Sequence, residues 1–240
     1  AGFTGDEIEK RVSSHGLIPD FIKLIHGQSR INIKMKHVEE TEINASGPTI
    51  EKEDLEKLYV KLEHLTEGDI LILSGSMASG VDHNFYADVM KYLEGRKIRI
   101  VVDAAGSILK TVLPYHPYLI KPNQHELSEI FGQKILENQV EEYACKLVTM
   151  GAQNVLVSLG ENGAILVNKQ VYRSIAPRGE ILNSVGAGDS MIAACLASKL
   201  NGESDQIALE KSVAMGSATA FSYGIAEQEA ADILYKEMVK

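Results

Sequence analysis

Apolar and polar positions along this chain follow two different periods. Asp69-Ile-Leu-Ile-Leu-Ser74, Arg99-Ile-Val-Val-Asp103, Tyr118-Leu-Ile120 and Asn154-Val-Leu-Val-Ser158 are short apolar runs with the length of buried strands. Around them, apolar residues recur at helical spacing: Leu55, Leu58, Leu62 and Leu65 on one face, then segments near 84–94, 124–131 and 138–150. Strands alternating with helices predict an α/β fold whose central sheet is mostly parallel and covered on both faces. In such sheets functional groups gather at the carboxyl ends of strands, where Ser74, Asp103, Asn123 and Ser158 stand. Two later runs, 164–167 and 171–175, flank Asn168-Lys169-Gln170 and predict a hairpin, and 188–200, 206–222 and 227–239 predict helices. One segment departs from this rhythm. Residues 30–36 alternate in period two, and after a polar turn 40–44 pair with them, giving a flap with Ile31, Ile33 and Met35 on one face. No internal repeat, low-complexity segment or obvious linker divides the chain, and its length allows one domain or two.

Charge narrows the partners. The net charge of −9 argues against nucleic acid or an anionic membrane surface. An anionic substrate then needs a local positive focus. Cys145 and Cys195 show no C-x-x-C or metal spacing, and are expected to be two buried thiols in a reducing cytosol. The histidines show no ligand spacing either. There is no apolar run of about 18 residues and no signal-peptide pattern. The chain opens at Ala1 and enters a helix-like pattern at once, as the middle of a protein would.

The densest chemistry lies at Asn183-Ser184-Val185-Gly186-Ala187-Gly188-Asp189-Ser190, directly before the apolar helical run 191–196. Small residues let backbone N–H groups converge at a helix N-terminus, which suits an anion. An aspartate in that first turn can take a proton from an attacking hydroxyl, and together these are the needs of phosphoryl transfer. An ordinary helix start would use the same residues, with Asp complementing the dipole. In Lys121-Pro122-Asn123-Gln124-His125-Glu126, Asn123 and Glu126 form a capping-box pattern, and the same pair could hold a hydrated Mg²⁺ near phosphate oxygens. Ser158-Leu159-Gly160-Glu161-Asn162-Gly163 is either a β-turn or a close approach of backbone to a nucleotide. Ser74-Gly75-Ser76 is a loop or a pair of hydroxyl donors, and Arg30 a solvated charge or a phosphate clamp. A P-loop and a dinucleotide fingerprint are both absent from the sequence.

Taken together, these residues resemble the ribokinase-like sugar kinases of the phosphofructokinase B group. Asn183 to Ser190 match the family's C-terminal signature. Ser74-Gly75-Ser76, Lys121-Pro122-Asn123 with Glu126, Val157-Ser158-Leu159-Gly160 with Gly163, and Gly216-Ser217-Ala218-Thr219-Ala220 match its other motifs. Arg30-Ile31-Asn32 and Glu40-Thr41-Glu42-Ile43-Asn44 are most similar to 1-phosphofructokinases and tagatose-6-phosphate kinases. Met77-Ala78-Ser79 departs mildly from the usual continuation.

The resemblance implies a three-layer α/β/α fold with a small β lid, one kinase domain over 1–240 with 30–44 as part of that lid, and the family's first strands missing from this chain. It implies Asp189 as catalytic base, the amides of Gly186, Ala187 and Gly188 as anion hole, and Ser158, Gly160, Gly163 and Ser184 as nucleotide contacts. Lys121, Asn123 and Glu126 would attend the ATP phosphates, the latter two positioning Mg²⁺ through water. Arg30 would clamp the sugar's phosphate and Ser76 face the sugar. The implied reaction is ATP-dependent phosphorylation of fructose 1-phosphate in the cytoplasm, by a homodimer joined through its lids. Tagatose 6-phosphate or fructose 6-phosphate is the alternative substrate. A non-catalytic sugar-phosphate or nucleotide binder is a distant third, since a sensor has no need of Asp189.

Overall fold

The computed structural model describes residues 1–36 and 40–240, with backbone alone for 34–36 and 40–42. The described residues form two compact units, Ala1–Glu67 with Ser76–Phe85, and Gly68–Gly75 with Tyr86–Lys240.

In the first unit, helix α1 (Gly2–Ser14) is tied to the chain ahead of the flap by the Thr4 hydroxyl, which donates to the Ser29 carbonyl at 2.8 Å. Strands β1 (Asn32–Lys36) and β2 (Glu40–Asn44) pair antiparallel, with Ile33 opposite Ile43. The hairpin expected from period-two alternation is therefore present. Its apolar face is open: Ile31, Ile33 and Ile43 are each about half exposed. The polar turn and His37 lie outside the described residues, as does the side chain of Met35. Helix α2 (Lys52–Leu62) follows, and the Tyr59 ring meets Phe85 edge-on at 6.2 Å.

The second unit is built on a six-stranded sheet in the order β3 (Ile70–Ser74), β4 (Arg99–Asp103), β5 (Leu119–Ile120), β6 (Val155–Ser158), β7 (Ala164–Val167) and β8 (Val171–Ser174). Pairings from β3 to β6 are parallel, and β6–β7–β8 form an antiparallel meander. Parallel neighbours need crossovers, supplied by α3 (Phe85–Tyr92), α4 (Gly106–Val112), α5 (Gln124–Phe131) and α6 (Val140–Thr149). Helices α7 (Ala187–Leu200), α8 (Asp205–Ala220) and α9 (Gln228–Met238) complete the chain. Val101, Leu119, Leu156 and Leu166 from the sheet pack with Met191, Ile192, Leu196, Leu209 and Val213 of α7 and α8 in one core. Cys195 is buried in that core, but Cys145 is exposed, which corrects the expectation of two buried thiols. On α6 the inward stripe is Val140, Tyr143, Ala144 and Leu147, and Cys145 stands one position off it. Among the described residues no helix is long and apolar enough to cross a membrane.

Candidate active site

The parallel strands end side by side. Ser74 pairs with Asp103, and an isolated parallel bridge joins Asn123 to Ser158, so the carboxyl ends of β3 to β6 form one row. Asn123 caps α5 as its sequence pattern predicts. Its Oδ1 accepts from the Glu126 N–H at 2.9 Å, while Glu126 Oε2 accepts from the Asn123 N–H at 2.8 Å. This capping box fixes Glu126 beside the row and leaves its second carboxylate oxygen outside the cap. Burial raises the Glu126 carboxyl, opposed by the Asn123 N–H and by the Lys121 charge.

The loop before α7 is shaped by local hydrogen bonds. Asn183 Oδ1 accepts from the Val185 N–H at 3.1 Å, an Asx turn, and Asn183 Nδ2 donates to the Tyr223 carbonyl at 3.1 Å. Gly186 then takes φ 82°, a left-handed conformation that a Cβ would strain. The first helical bond runs from the Ser190 N–H to the Gly186 carbonyl at 2.9 Å. The Ala187 N–H turns back to the Ser184 carbonyl at 3.3 Å. Asp189 thus sits in the opening turn of α7, where the free N–H groups and the positive end of the dipole lie.

Lys121 brings a cation to that same turn. It is only 7% exposed, and its Nζ lies 2.8 Å from where a Cβ on Gly188 would be, so Gly188 is bare to admit the ammonium. The same Nζ is 3.3 Å from Asp103 Oδ1. Burial raises the Asp103 carboxyl. Lys121 pulls it down, and Asp189 raises it again through charge and a hydrogen bond. Asp103, Lys121 and Asp189 therefore form one cluster, of charge −1 when all are ionised. Sequence patterning placed Asp103 at a strand end and gave it no role; its partner is distant along the chain.

Beside the cluster opens a cavity of about 480 Å³. Ser158, Gly160, Gly163, Ser184, Ala187 and Gly188 all line it, so the residues expected to contact nucleotide converge on one space. Phe221 and the 176–179 segment complete the wall, and sequence reasoning missed both. In the first unit the two residues expected at the sugar also meet, with Arg30 Nη1 donating to Ser76 Oγ at 3.2 Å. The stem of Arg30 rests near Gly47, with 3.6 Å between Cβ positions. A row of strand-end polar groups, an open helix N-terminus with a carboxylate, a buried ammonium beside it and a cavity alongside suit transfer of a phosphoryl group.

The model of the pfkB family of carbohydrate kinases matches residues 1–231. The chain belongs to that family. Of the proteins it resembles, 1-phosphofructokinase of Bacillus subtilis is 40% identical over 245 residues, covering 99% of this chain and 78% of that protein. D-tagatose-1-phosphate kinase of Bacillus licheniformis is 34% identical over 229 residues, covering 94% of this chain and 75% of that protein. In fold the chain matches phosphofructokinase-2 of Escherichia coli, solved in complex with substrates and products. The TM-score is 0.93 at 24% identity, over 100% of this chain and 80% of that one. The ribokinase-like α/β architecture and the sugar-phosphate kinase activity expected from the sequence motifs both stand.

Proposed function

We propose that this pfkB-family kinase transfers the γ-phosphoryl group of ATP to fructose 1-phosphate, giving fructose 1,6-bisphosphate. The observation that carries the choice of sugar is the 40% identity to a 1-phosphofructokinase across nearly the whole chain. D-tagatose 1-phosphate is the second reading, supported by the 34% identity to a kinase named for it. The two sugars differ in the orientation of one hydroxyl. Neither of these two relatives is named for tagatose 6-phosphate, so that alternative gains no support from them.

In this mechanism Asp189 accepts the proton of the sugar hydroxyl as it attacks the γ-phosphorus. Backbone amides of the 186–188 turn receive the charge that develops on the transferring group, Gly188 being the better placed because the Ala187 N–H is engaged by Ser184. Lys121 supplies a positive charge against that turn and balances Asp103, so the carboxylate pair does not repel the phosphates unopposed. Ser158, Gly160, Gly163 and Ser184 receive the nucleotide in the adjoining cavity. Arg30 holds the phosphate already on the sugar, its planar fork suiting bidentate contact, and Ser76 faces the sugar beside it. Asn123 and Glu126 fit an indirect role toward Mg²⁺. Two of their oxygens are occupied by the cap, and the remaining Glu126 oxygen suits a water of the hydrated ion, which keeps several waters when bound. Mg²⁺, when bound, neutralises phosphate oxygens.

The open face of the flap, Ile31, Ile33 and Ile43, supports a homodimer formed through the lids; sedimentation as a monomer with full activity would contradict it. Dependence on ATP and the exposed thiol of Cys145 suit the cytoplasm. Steady-state kinetics with ATP and each of fructose 1-phosphate, tagatose 1-phosphate, tagatose 6-phosphate and fructose 6-phosphate tests the assignment. Fructose 1-phosphate should have the highest kcat/KM. A larger value for any of the other three sugars would overturn the choice of fructose 1-phosphate.

A further inference from the structure

The last turn of α8, within the motif Gly216-Ser217-Ala218-Thr219-Ala220, makes contacts that the mechanism above does not use. We propose that Thr219 is a positioning residue for phosphoryl transfer, locking the opening turn of α7 in the geometry that serves Asp189. The inference rests on the reading of Asp189 and its turn as the catalytic centre. Thr219 is fully buried, and its hydroxyl donates to Ser190 Oγ at 3.0 Å, one residue beyond Asp189. The same oxygen accepts from the Ala226 N–H at 3.3 Å. One hydroxyl thus joins the α7 start to the loop that follows α8.

That geometry is unusual for a helical hydroxyl. Buried Ser and Thr in helices commonly bond back to their own helix, at the carbonyl three or four residues earlier. Ser212 does so on this very helix, donating to the Ala208 carbonyl at 2.6 Å, and Ser222 just beyond it donates to the Ala218 carbonyl at 2.9 Å. Thr219 directs its proton outward to another helix instead.

The neighbouring contacts make the same seat. The Ala220 carbonyl accepts from both Leu182 N–H at 2.9 Å and Asn183 N–H at 3.1 Å, suspending the strand of chain that enters the glycine turn. Asn183 Nδ2 reaches the Tyr223 carbonyl in the loop beyond. One turn earlier, a Cβ on Gly216 would fall 2.5 Å from Met191 Cγ and 3.3 Å from the Ala187 carbonyl, so α8 approaches the first turn of α7 with no space between. Backbone bonds hold the entry to the turn, Gly216 holds its distance from α8, and the Thr219 hydroxyl fixes its rotation. Without that bond the first turn of α7 remains packed but is free to shift, and displacements near 1 Å in a catalytic constellation cost about 10²-fold in rate.

The test is Thr219→Val, which keeps shape and removes the hydroxyl, alongside Thr219→Ser and Ser190→Ala. Amide hydrogen exchange on the ligand-free proteins is read first, then kcat and KM for ATP and sugar phosphate. Thr219→Val should speed exchange at 184–192 and 221–226, lower kcat about 10- to 100-fold, and leave KM for ATP within about threefold. Thr219→Ser should recover wild-type values within about threefold. Ser190→Ala should loosen 184–192 but not 221–226, because Thr219 still accepts from Ala226; it decides the matter if the valine variant does not fold. Folded variants with wild-type exchange at 184–192 overturn the proposal, as does loosened exchange with unchanged kcat. A wild-type protein with no phosphotransferase activity would overturn the catalytic reading itself, while the exchange data would still report whether Thr219 locks the turn.

Discussion

Removing the ammonium of Lys121 should destabilise the protein more than it disturbs the shape of the site. In Lys121→Met the stem keeps most of its volume and the charge disappears. The Lys121 side chain is 9% exposed and that of Asp103 16%, so solvent screens the pair little and it does not behave as a surface ion pair. At their 3.3 Å separation, with an effective dielectric of about 20, Coulomb attraction is about 5 kcal/mol. Deleting one partner leaves Asp103 buried beside Asp189, and breaking a buried pair in this way costs about 3–5 kcal/mol. Against a typical total of about 5–15 kcal/mol that loss is large. Replacing both charges, in Lys121→Met with Asp103→Asn, removes the orphaned carboxylate and should restore more than half of it. Urea denaturation of the wild type, both single variants and the double variant forms a cycle that isolates the coupling. Activity separates the two roles: the double variant should regain stability without regaining kcat, because the cation beside the 186–188 turn is still missing. Wild-type stability in Lys121→Met, or purely additive single effects, would refute the cluster as described.

Arg30→Ala should raise KM for the sugar phosphate about 10- to 150-fold, the equivalent of losing a charge-assisted contact of about 1.5–3 kcal/mol, and leave KM for ATP within a few fold; steady-state kinetics with both substrates varied checks this. The raised Asp103 carboxyl sets a pH trend in the ligand-free protein. Because the native state holds that proton more tightly than the unfolded chain, its contribution is present below the ordinary carboxylate range of about 4. It is lost as pH rises through the higher native value. Asp103→Asn should therefore flatten the fall of Tm with rising pH across that window, as followed by thermal unfolding.

Much of this architecture was visible in the sequence because burial imposes period. The hairpin of β1 and β2 was legible from strict alternation, and α5 from its cap and its apolar stripe at Leu127 and Ile130. Cys145 was misjudged for a local reason: it follows Ala144, and about 100° of helical rotation carries it off the buried stripe. Helix α4 went unseen, since its seven residues, Gly106–Val112, are too few to establish a period before Pro114 ends the run. In the site, the residues of the glycine turn and the strand ends could be named because local backbone demands select them. The pairing of Asp103 with Lys121, and of Thr219 with Ser190, could not be read. Each joins side chains brought together only by tertiary packing, and nothing in their spacing marks them.

The proposed mechanism turns on Asp189, at the opening of α7, as the base that activates the sugar hydroxyl. Asp189→Asn is nearly isosteric, keeps the turn, and removes the proton acceptor. Its kcat with ATP and fructose 1-phosphate, measured beside nucleotide affinity and Tm, is the direct test. Asp189→Asn should lose about 10²–10⁴-fold in kcat, with nucleotide affinity and Tm close to wild type. A variant that retains most of the wild-type kcat would contradict it.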